Sequence, residues 1–187
     1  MTDVFQQSLQ TLRHGGLLLY PTDTLWGVGC DATSEKAVEK LCALKRRTGG
    51  KSLILLVSGM DMISRYVPHI PDIARRLTDI AGMPLTLIYP QAGGLAANVA
   101  AADGTVAMRI VRHDFCQKLL QRFRLPLVST SANLSGQPAP AAFAQISEEI
   151  KNGCDFIVPP EYEGAPTRKP SSLIKIGRHA EVEVIRK

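Results

Sequence analysis

No apolar run in this chain approaches the ~20 residues that a helix needs to cross a bilayer, so no membrane partner is expected. The first residues, Met1 to Gln6, have neither the basic start nor the long apolar stretch of a secretory signal, and the expected compartment is the cytoplasm. No two of the four cysteines (Cys30, Cys42, Cys116, Cys154) form a C-x-x-C pair, which argues against a zinc site or a dithiol redox centre. Cys42 and Cys116 fall within expected helices and read as reduced packing residues. His14, His69, His113 and His179 are equally scattered, and no acidic metal motif is visible, so no metal-ligating residues are expected. Internal repeats and low-complexity tails are absent too. What is present is an ordinary globular composition, 45% hydrophobic and 21% charged over 187 residues, which suits one domain, 1–187, with a substantial core. The net charge of +5 leans towards anionic partners such as nucleotides or RNA.

Hydrophobic spacing predicts the elements. Val4, Phe5, Leu9 and Leu12 recur at helical intervals before Gly15-Gly16, and Leu17–Tyr20 is an apolar strand. Thr33 or Ser34 caps a helix with Ala37, Val38, Leu41 and Leu44 on its inner face, and Leu53–Val57 reads as a buried strand. Ser58-x-x-Asp61 resembles a capping box that starts a short helix through Tyr66. Pro71 opens a helix with Ile73, Ala74, Leu77 and Ile80 inward. Leu85–Tyr89 and Thr105–Ile110 are strands, and Gln91–Asp103 between them is a mobile Gly/Ala-rich loop with a short helix. Asp114 caps a helix burying Phe115, Leu119, Leu120 and Phe123, followed by the strand Leu127–Ser129. A helix near Phe143–Ile150, a strand Phe156–Val158, a loop Pro159–Pro170 and strands Ser172–Ile176 and Glu181–Ile185 complete the chain. Alternation at first and a strand-rich end predict a mixed, twisted sheet with helices packed on it.

Function concentrates in Tyr20 to Lys51. A strand runs into Pro21-Thr22-Asp23-Thr24, Gly27 and Gly29 permit close backbone approach, and the next helix ends in Lys45-Arg46-Arg47, with Lys51 beyond. Hydroxyls at a strand end, glycines and clustered cations suit a phosphorylated ligand. A polar turn followed by a solvated helix end, its cations favoured by the helix dipole, fits the same residues. Thr22 and Asp23 can equally serve only to satisfy the turn, Ser131 and Asn133 only to cap a loop, and Trp26 can line a pocket or pack in the core.

The segment Pro21–Ala32, then Lys45-x-Arg47 and Lys51, resembles the opening of the YrdC/TsaC family of threonylcarbamoyl-AMP synthases. Ser129-Thr130-Ser131-Ala132-Asn133-Leu134-Ser135-Gly136 resembles its S-x-N motif, in the same order along the chain. The resemblance implies an α/β (α+β) fold, a twisted mixed β-sheet with packed helices of the YrdC/RibB-like kind around an open basic cavity. It implies a nucleotidyltransferase, L-threonylcarbamoyladenylate synthase, that condenses L-threonine, bicarbonate or CO2 and ATP to threonylcarbamoyl-AMP and pyrophosphate. Mg2+ would be held mainly by the ATP phosphates. The product would go to a downstream tRNA threonylcarbamoyl transferase complex, with tRNA itself a further candidate partner.

Carried over by that match, Lys45 and Arg47 are catalytic and hold the triphosphate, and Lys51, Thr105, Ser131, Asn133 and Arg186 contact ATP. Thr24, Arg109, Ser129 and Ser171 fall where threonine is held, with Arg109 set against its carboxylate. The chain departs from the family pattern at Ser52, where Pro is usual, at Met83-Pro84, and at Val111. Two other readings compete: a non-catalytic double-stranded RNA or tRNA-binding module using the same concavity, and a carbamoyl-adenylating domain like that embedded in hydrogenase-maturation carbamoyltransferases. The long loop Pro159–Pro170 is expected to close over the site.

Overall fold

The computed structural model describes residues 3–47 and 53–187. Helix α1 (Val4–Arg13) starts at Asp3, whose carboxylate accepts the Phe5 N–H, and ends as Gly15 turns the chain at φ +72°. Strand β1 (Leu18–Tyr20) is buried along its whole length, as its unbroken apolar run requires. It pairs antiparallel with β2 (Gly27–Asp31), which leads to α2 (Glu35–Leu44), capped by Ser34 through the Ala37 N–H. Then follow β3 (Ile54–Val57), α3 (Met60–Ile63), α4 (Asp72–Ile80), β4 (Leu85–Tyr89), β5 (Val106–Ile110), α5 (Asp114–Phe123) and β6 (Leu127–Ser131). The last part holds a 3₁₀ turn Phe143–Gln145, α6 (Glu148–Asn152), β7 (Phe156–Ile157), a second 3₁₀ turn Pro160–Tyr162, and β8 (Ser172–Ile176) and β9 (Val182–Arg186).

Among the described residues nine strands form one mixed sheet in the order β7-β1-β2-β6-β3-β5-β4-β8-β9. Helix α1 packs on β1, β2, β7 and α5, and α2 packs on β2. Phe5, Phe115 and Tyr162 tie α1, α5 and the second 3₁₀ turn by ring contacts of 5.0–6.4 Å between centroids. All four cysteines are free, and the Cys116 thiol donates to the Pro21 carbonyl at 3.2 Å.

Several expectations are corrected here. Strand β2 was not anticipated, because its two glycines lack the side chains that mark a strand. Gly29 is required: a Cβ there would clash with the Val128 carbonyl and lie 2.8 Å from the Tyr20 hydroxyl. The Ser58 capping box does not form. Gly59 holds the N-cap position, Ser58 Oγ faces Met62 Sδ, and α3 stops at Ile63, with turns continuing to Tyr66. Asp114 is the first residue of α5 rather than its cap, placed where its charge suits the helix dipole. Ile80 is 78% exposed, since the last turn of α4 carries it past the core that buries Ala74.

Residues 91–103 form turns without a helix, and they are pinned by bonds from Gly93 N to the Tyr66 carbonyl and from Ala96 N to the Ala32 carbonyl. The expected helix near Phe143–Ile150 splits because Ile146 is extended and Ser147 caps a new helix through the Ile150 N–H.

The tight packing over Gly29 predicts that Gly29→Ala destabilises the protein by about 1–3 kcal/mol, the usual cost of overpacking. Thermal or denaturant unfolding of the single variant measures this, and an unchanged midpoint would show that the Tyr20 ring yields freely.

Candidate functional site

The sheet places a polar row on an apolar face. Residues opposite one another in register point to the same side. Ser129 pairs with Gly29 and Ile54, Ser131 with Gly27, and Arg109 with Leu56 and Thr86. Over this floor lies a cavity of about 230 Å3. Gly27, Ile54, Leu56, Arg109, Ser129 and Ser131 line it from the strands, Thr22, Thr24 and Trp26 from the turn before β2, and Arg47, Ser171 and Arg186 from the remaining edges. Trp26 serves both roles left open for it: it is buried against Phe143 and also lines the cavity.

The Pro21–Leu25 turn is wired internally. Thr22 Oγ1 donates to the Leu25 carbonyl at 2.7 Å and accepts the Thr24 and Leu25 N–H groups at 3.1 and 3.3 Å. Its single hydrogen is thereby used, so it cannot donate across the 2.9 Å contact between the two hydroxyls. Thr24 Oγ1 therefore keeps acceptor lone pairs for a ligand's O–H or N–H. Asp23 Oδ1 lies 2.6 Å from Arg109 Nη1, with only 9% and 6% of the two side chains exposed, and Asp23 Oδ2 accepts the Arg112 N–H at 3.0 Å. Ser171 Oγ is 2.7 Å from Thr86 Oγ1, and its carbonyl accepts Arg186 Nε and Nη2 at 3.0 and 2.8 Å.

The Lys45-Arg46-Arg47 cluster owes its geometry to how α2 ends. Arg46 N bonds to the Ala43 carbonyl and Arg47 N to the Cys42 carbonyl, with Arg46 left-handed at φ +50°. This is a Schellman turn in which Arg takes the position that usually holds Gly. It separates the three side chains. Lys45 turns inward and is 3% exposed, Arg46 turns outward to Glu149 Oε1 at 2.7 Å, and Arg47 reaches the cavity. The Lys45 ammonium donates to the carbonyls of Ser131 and Asn133, and the Lys45 carbonyl accepts the Ser135 N–H. The two sequence motifs are thus joined by three hydrogen bonds.

The structure brings Thr24, Arg47, Arg109, Ser129, Ser131, Ser171 and Arg186 to one cavity. Lys45 lies behind that wall, held by carbonyls. Asn133 does not line the cavity; its side-chain amide donates to the Leu134 and Gln137 carbonyls at 2.9 and 2.7 Å. Thr105 stands just before β5, and its hydroxyl donates to Asp103 Oδ1 at 2.6 Å, away from the cavity. Lys51 lies outside the described residues. Sequence reasoning saw Asp23 only as a turn residue and did not single out Ile54 or Leu56. The signal for Asp23 was Arg109 itself, since a cation on a strand this apolar needs a buried counter-charge. The loop Pro159–Pro170 is docked on the turn, with the Thr167 and Arg168 N–H groups donating to the Asp23 and Thr24 carbonyls, both at 2.9 Å.

Comparison with known proteins adds three findings. The family model Sua5_yciO_yrdC, described as telomere recombination, matches residues 10–187. Curated relatives named threonylcarbamoyl-AMP synthase include one from Vibrio cholerae, 34% identical over 161 residues (84% of this chain, 86% of the relative), and one from Hahella chejuensis, 31% identical over 169 residues (90% and 91%). Among solved structures, Sua5 of P. abyssi complexed with L-threonine superposes with a TM-score of 0.84 at 26% identity over 92% of this chain, which spans about half (50%) of that protein. E. coli YciO shares the fold, with a TM-score of 0.84 at 23% identity over 98% of this chain and 88% of that one.

Burial, with the like charge of Arg47 adding to it, brings Lys45 down to about 8 from an ordinary 10.5. Between those values the unfolded chain binds more protons than the folded one, so the Lys45 contribution to stability grows as pH rises through the window. Lys45→Met leaves two carbonyls without their donor and should cost about 1–3 kcal/mol. Its deficit should be larger near about pH 9.5 than near about pH 7.5, by on the order of 1–2 kcal/mol. Paired denaturant titrations test this, and a deficit that shrinks with pH would contradict it. Arg46→Ala breaks only an exposed bridge and should cost about 0–1 kcal/mol.

Proposed function

The chain belongs to the Sua5/YciO/YrdC family, and from that premise we propose that it is an L-threonylcarbamoyladenylate synthase, a nucleotidyltransferase acting in one domain, residues 1–187. The observation that carries the reading is the convergence of Arg109, Thr24, Ser129 and Ser171 with Arg47 and Arg186 in one cavity. Its volume, about 230 Å3, suits an amino acid, and a nucleotide, needing a larger pocket, would extend beyond it. In the reaction, the threonine amine adds to CO2 with loss of a proton, or to bicarbonate with breaking of a C–O bond and loss of water, to give a carbamate. A carbamate oxygen then attacks the α-phosphorus of ATP, a new P–O bond forms, and pyrophosphate leaves with the electrons of the broken bond. The residues contribute position and charge rather than covalent chemistry.

Arg109 holds the threonine carboxylate, and the hydroxyls of Thr24, Ser129 and Ser171 orient the rest of the amino acid. Arg47 and Arg186 take the triphosphate, with Ser131, Asn133, Thr105 and Lys51 completing the nucleotide contacts. Lys45 joins them by exchanging a carbonyl partner for a phosphate oxygen. Mg2+ comes with the ATP: both oxygens of Asp23, the acid beside the cavity, are already engaged, so the ion is held by phosphates and water. The product passes to a transferase complex acting on tRNA, and the net charge of +5 suits brief contact with tRNA as well.

Pyrophosphate release from ATP should require both L-threonine and bicarbonate, and mass analysis should find threonylcarbamoyl-AMP. Release independent of threonine would defeat the reading, and salt-sensitive tRNA binding without turnover would favour the RNA-binding module instead. Replacing threonine by 2-aminobutyrate, which lacks the hydroxyl, should lower kcat/KM by about 10–100-fold, the worth of one good hydrogen bond to a partly buried site. Equal use of the two would remove Thr24 and Ser129 from that role. Addition of ATP and threonine should slow hydrogen exchange at the Thr167 and Arg168 amides if the Pro159–Pro170 loop serves as a lid; unchanged exchange would mean that it does not close.

A further inference from the structure

We propose that Asp23 is a positioning residue for recognition of the substrate carboxylate, aiming the Arg109 guanidinium rather than touching the substrate. This rests on the reading of Arg109 given above. Three observations carry it. Asp23 Oδ1 takes Arg109 Nη1 at 2.6 Å, which fixes one corner of a planar fork and leaves its other donors for a second carboxylate. Asp23 Oδ2 is held at 3.0 Å by the N–H of Arg112, just past the end of β5, so the carboxylate cannot swing. The Asp23 main chain is fixed as well, its carbonyl accepting the Thr167 N–H from the loop that borders the cavity. Both carboxylate oxygens are occupied, and Asp23 is not among the residues that line the cavity.

The charges give the idea a definite sign. The Asp23–Arg109 pair is neutral as a unit, so a carboxylate arriving at Arg109 meets directed N–H donors without a net positive charge. If Asp23 were only a competitor for Arg109, removing its charge would strengthen carboxylate binding. If Asp23 aims the guanidinium, removing it weakens binding, because an Arg109 without its partner turns away from the productive geometry. A merely architectural Asp23 would alter the melting temperature and the active fraction, but not the KM for threonine.

The test compares the 187-residue protein with its Asp23→Asn and Asp23→Glu variants in pyrophosphate release, titrating L-threonine and ATP separately, and repeats the threonine titration with L-threoninol, which lacks the carboxylate. Asp23→Asn is expected to raise the KM for threonine by about 10–100-fold, towards the low end for a buried, hydrogen-bonded charge pair, because the charge is removed and the side chain kept. The KM for ATP and kcat at saturating threonine should stay within about twofold. The preference for threonine over threoninol should shrink by the same factor as the threonine KM rises. An unchanged or lowered threonine KM in Asp23→Asn overturns the proposal. Should that variant fail to fold, Asp23→Glu decides on the same readout, since it keeps the charge and displaces the guanidinium by one methylene. Wild-type protein that shows no threonine-dependent release refutes the functional reading itself, a different result from an active enzyme indifferent to position 23.

Discussion

One buried ion pair conditions the whole cavity. Arg109 stands on a central strand between Leu56 and Thr86, on a face that is otherwise built for packing. A lone guanidinium there would cost several kcal/mol in lost hydration. Asp23 offsets that cost from a different part of the chain, and the Arg112 N–H fills its remaining oxygen. The pair therefore does two things: it makes a charged group tolerable on the sheet, and it brings the turn after β1 up against the strand that carries the charge. It thus adds to the pairing of β2 with β1 and β6, which already sets the turn beside the sheet.

A second buried charge links the other two walls. The Lys45 ammonium is satisfied by backbone carbonyls, so the identity of the side chains at 131 and 133 matters less for this contact than the path of their main chain. A motif written as alternate Ser and Asn thus conceals a backbone function. The end of α2 and the turn after β6 are consequently one mechanical unit, and Arg47, next but one to Lys45, is placed by the same anchor. The residues read as a phosphate cluster divide their labour: one holds the loops together, one faces solvent, and one reaches the cavity.

Much of this was legible in the sequence. The apolar faces of α1, α2 and α5 follow from simple periodicity, and β1, β3 and β4 from short apolar runs. The cavity residues Thr24, Arg47, Arg109, Ser129 and Ser171 were named by resemblance, and they do converge. What escaped is long-range. β2 is a strand because β1 and β6 pair with it on both sides, and it needs glycine at 29 because Tyr20 and Val128 leave room for nothing larger, constraints visible only once the neighbours are in place. Lys45 was assigned to the triphosphate by resemblance, with a solvated helix end as the alternative, and nothing local announces that carbonyls about ninety residues away receive it. Thr105 was assigned to the nucleotide by resemblance, and the structure adds that its hydroxyl donates to Asp103, two residues before it, a local bond that the match did not announce.

The order of strands also bears on how the protein comes to exist. The floor of the cavity needs β6 inserted between β2 and β3, which joins Gly29 to Ser129 across roughly a hundred residues of chain. No contiguous stretch of sequence contains the floor, so no early, locally folded fragment can carry it. Closing such large loops costs entropy before any contact repays it, and the strands that close them are the ones that bear the polar row. The ability to bind should thus appear only with the last cooperative step of folding and vanish with the first global opening. For the same reason, a ligand held there would stabilise the molecule as a whole, slowing exchange deep in the sheet as well as at the cavity rim.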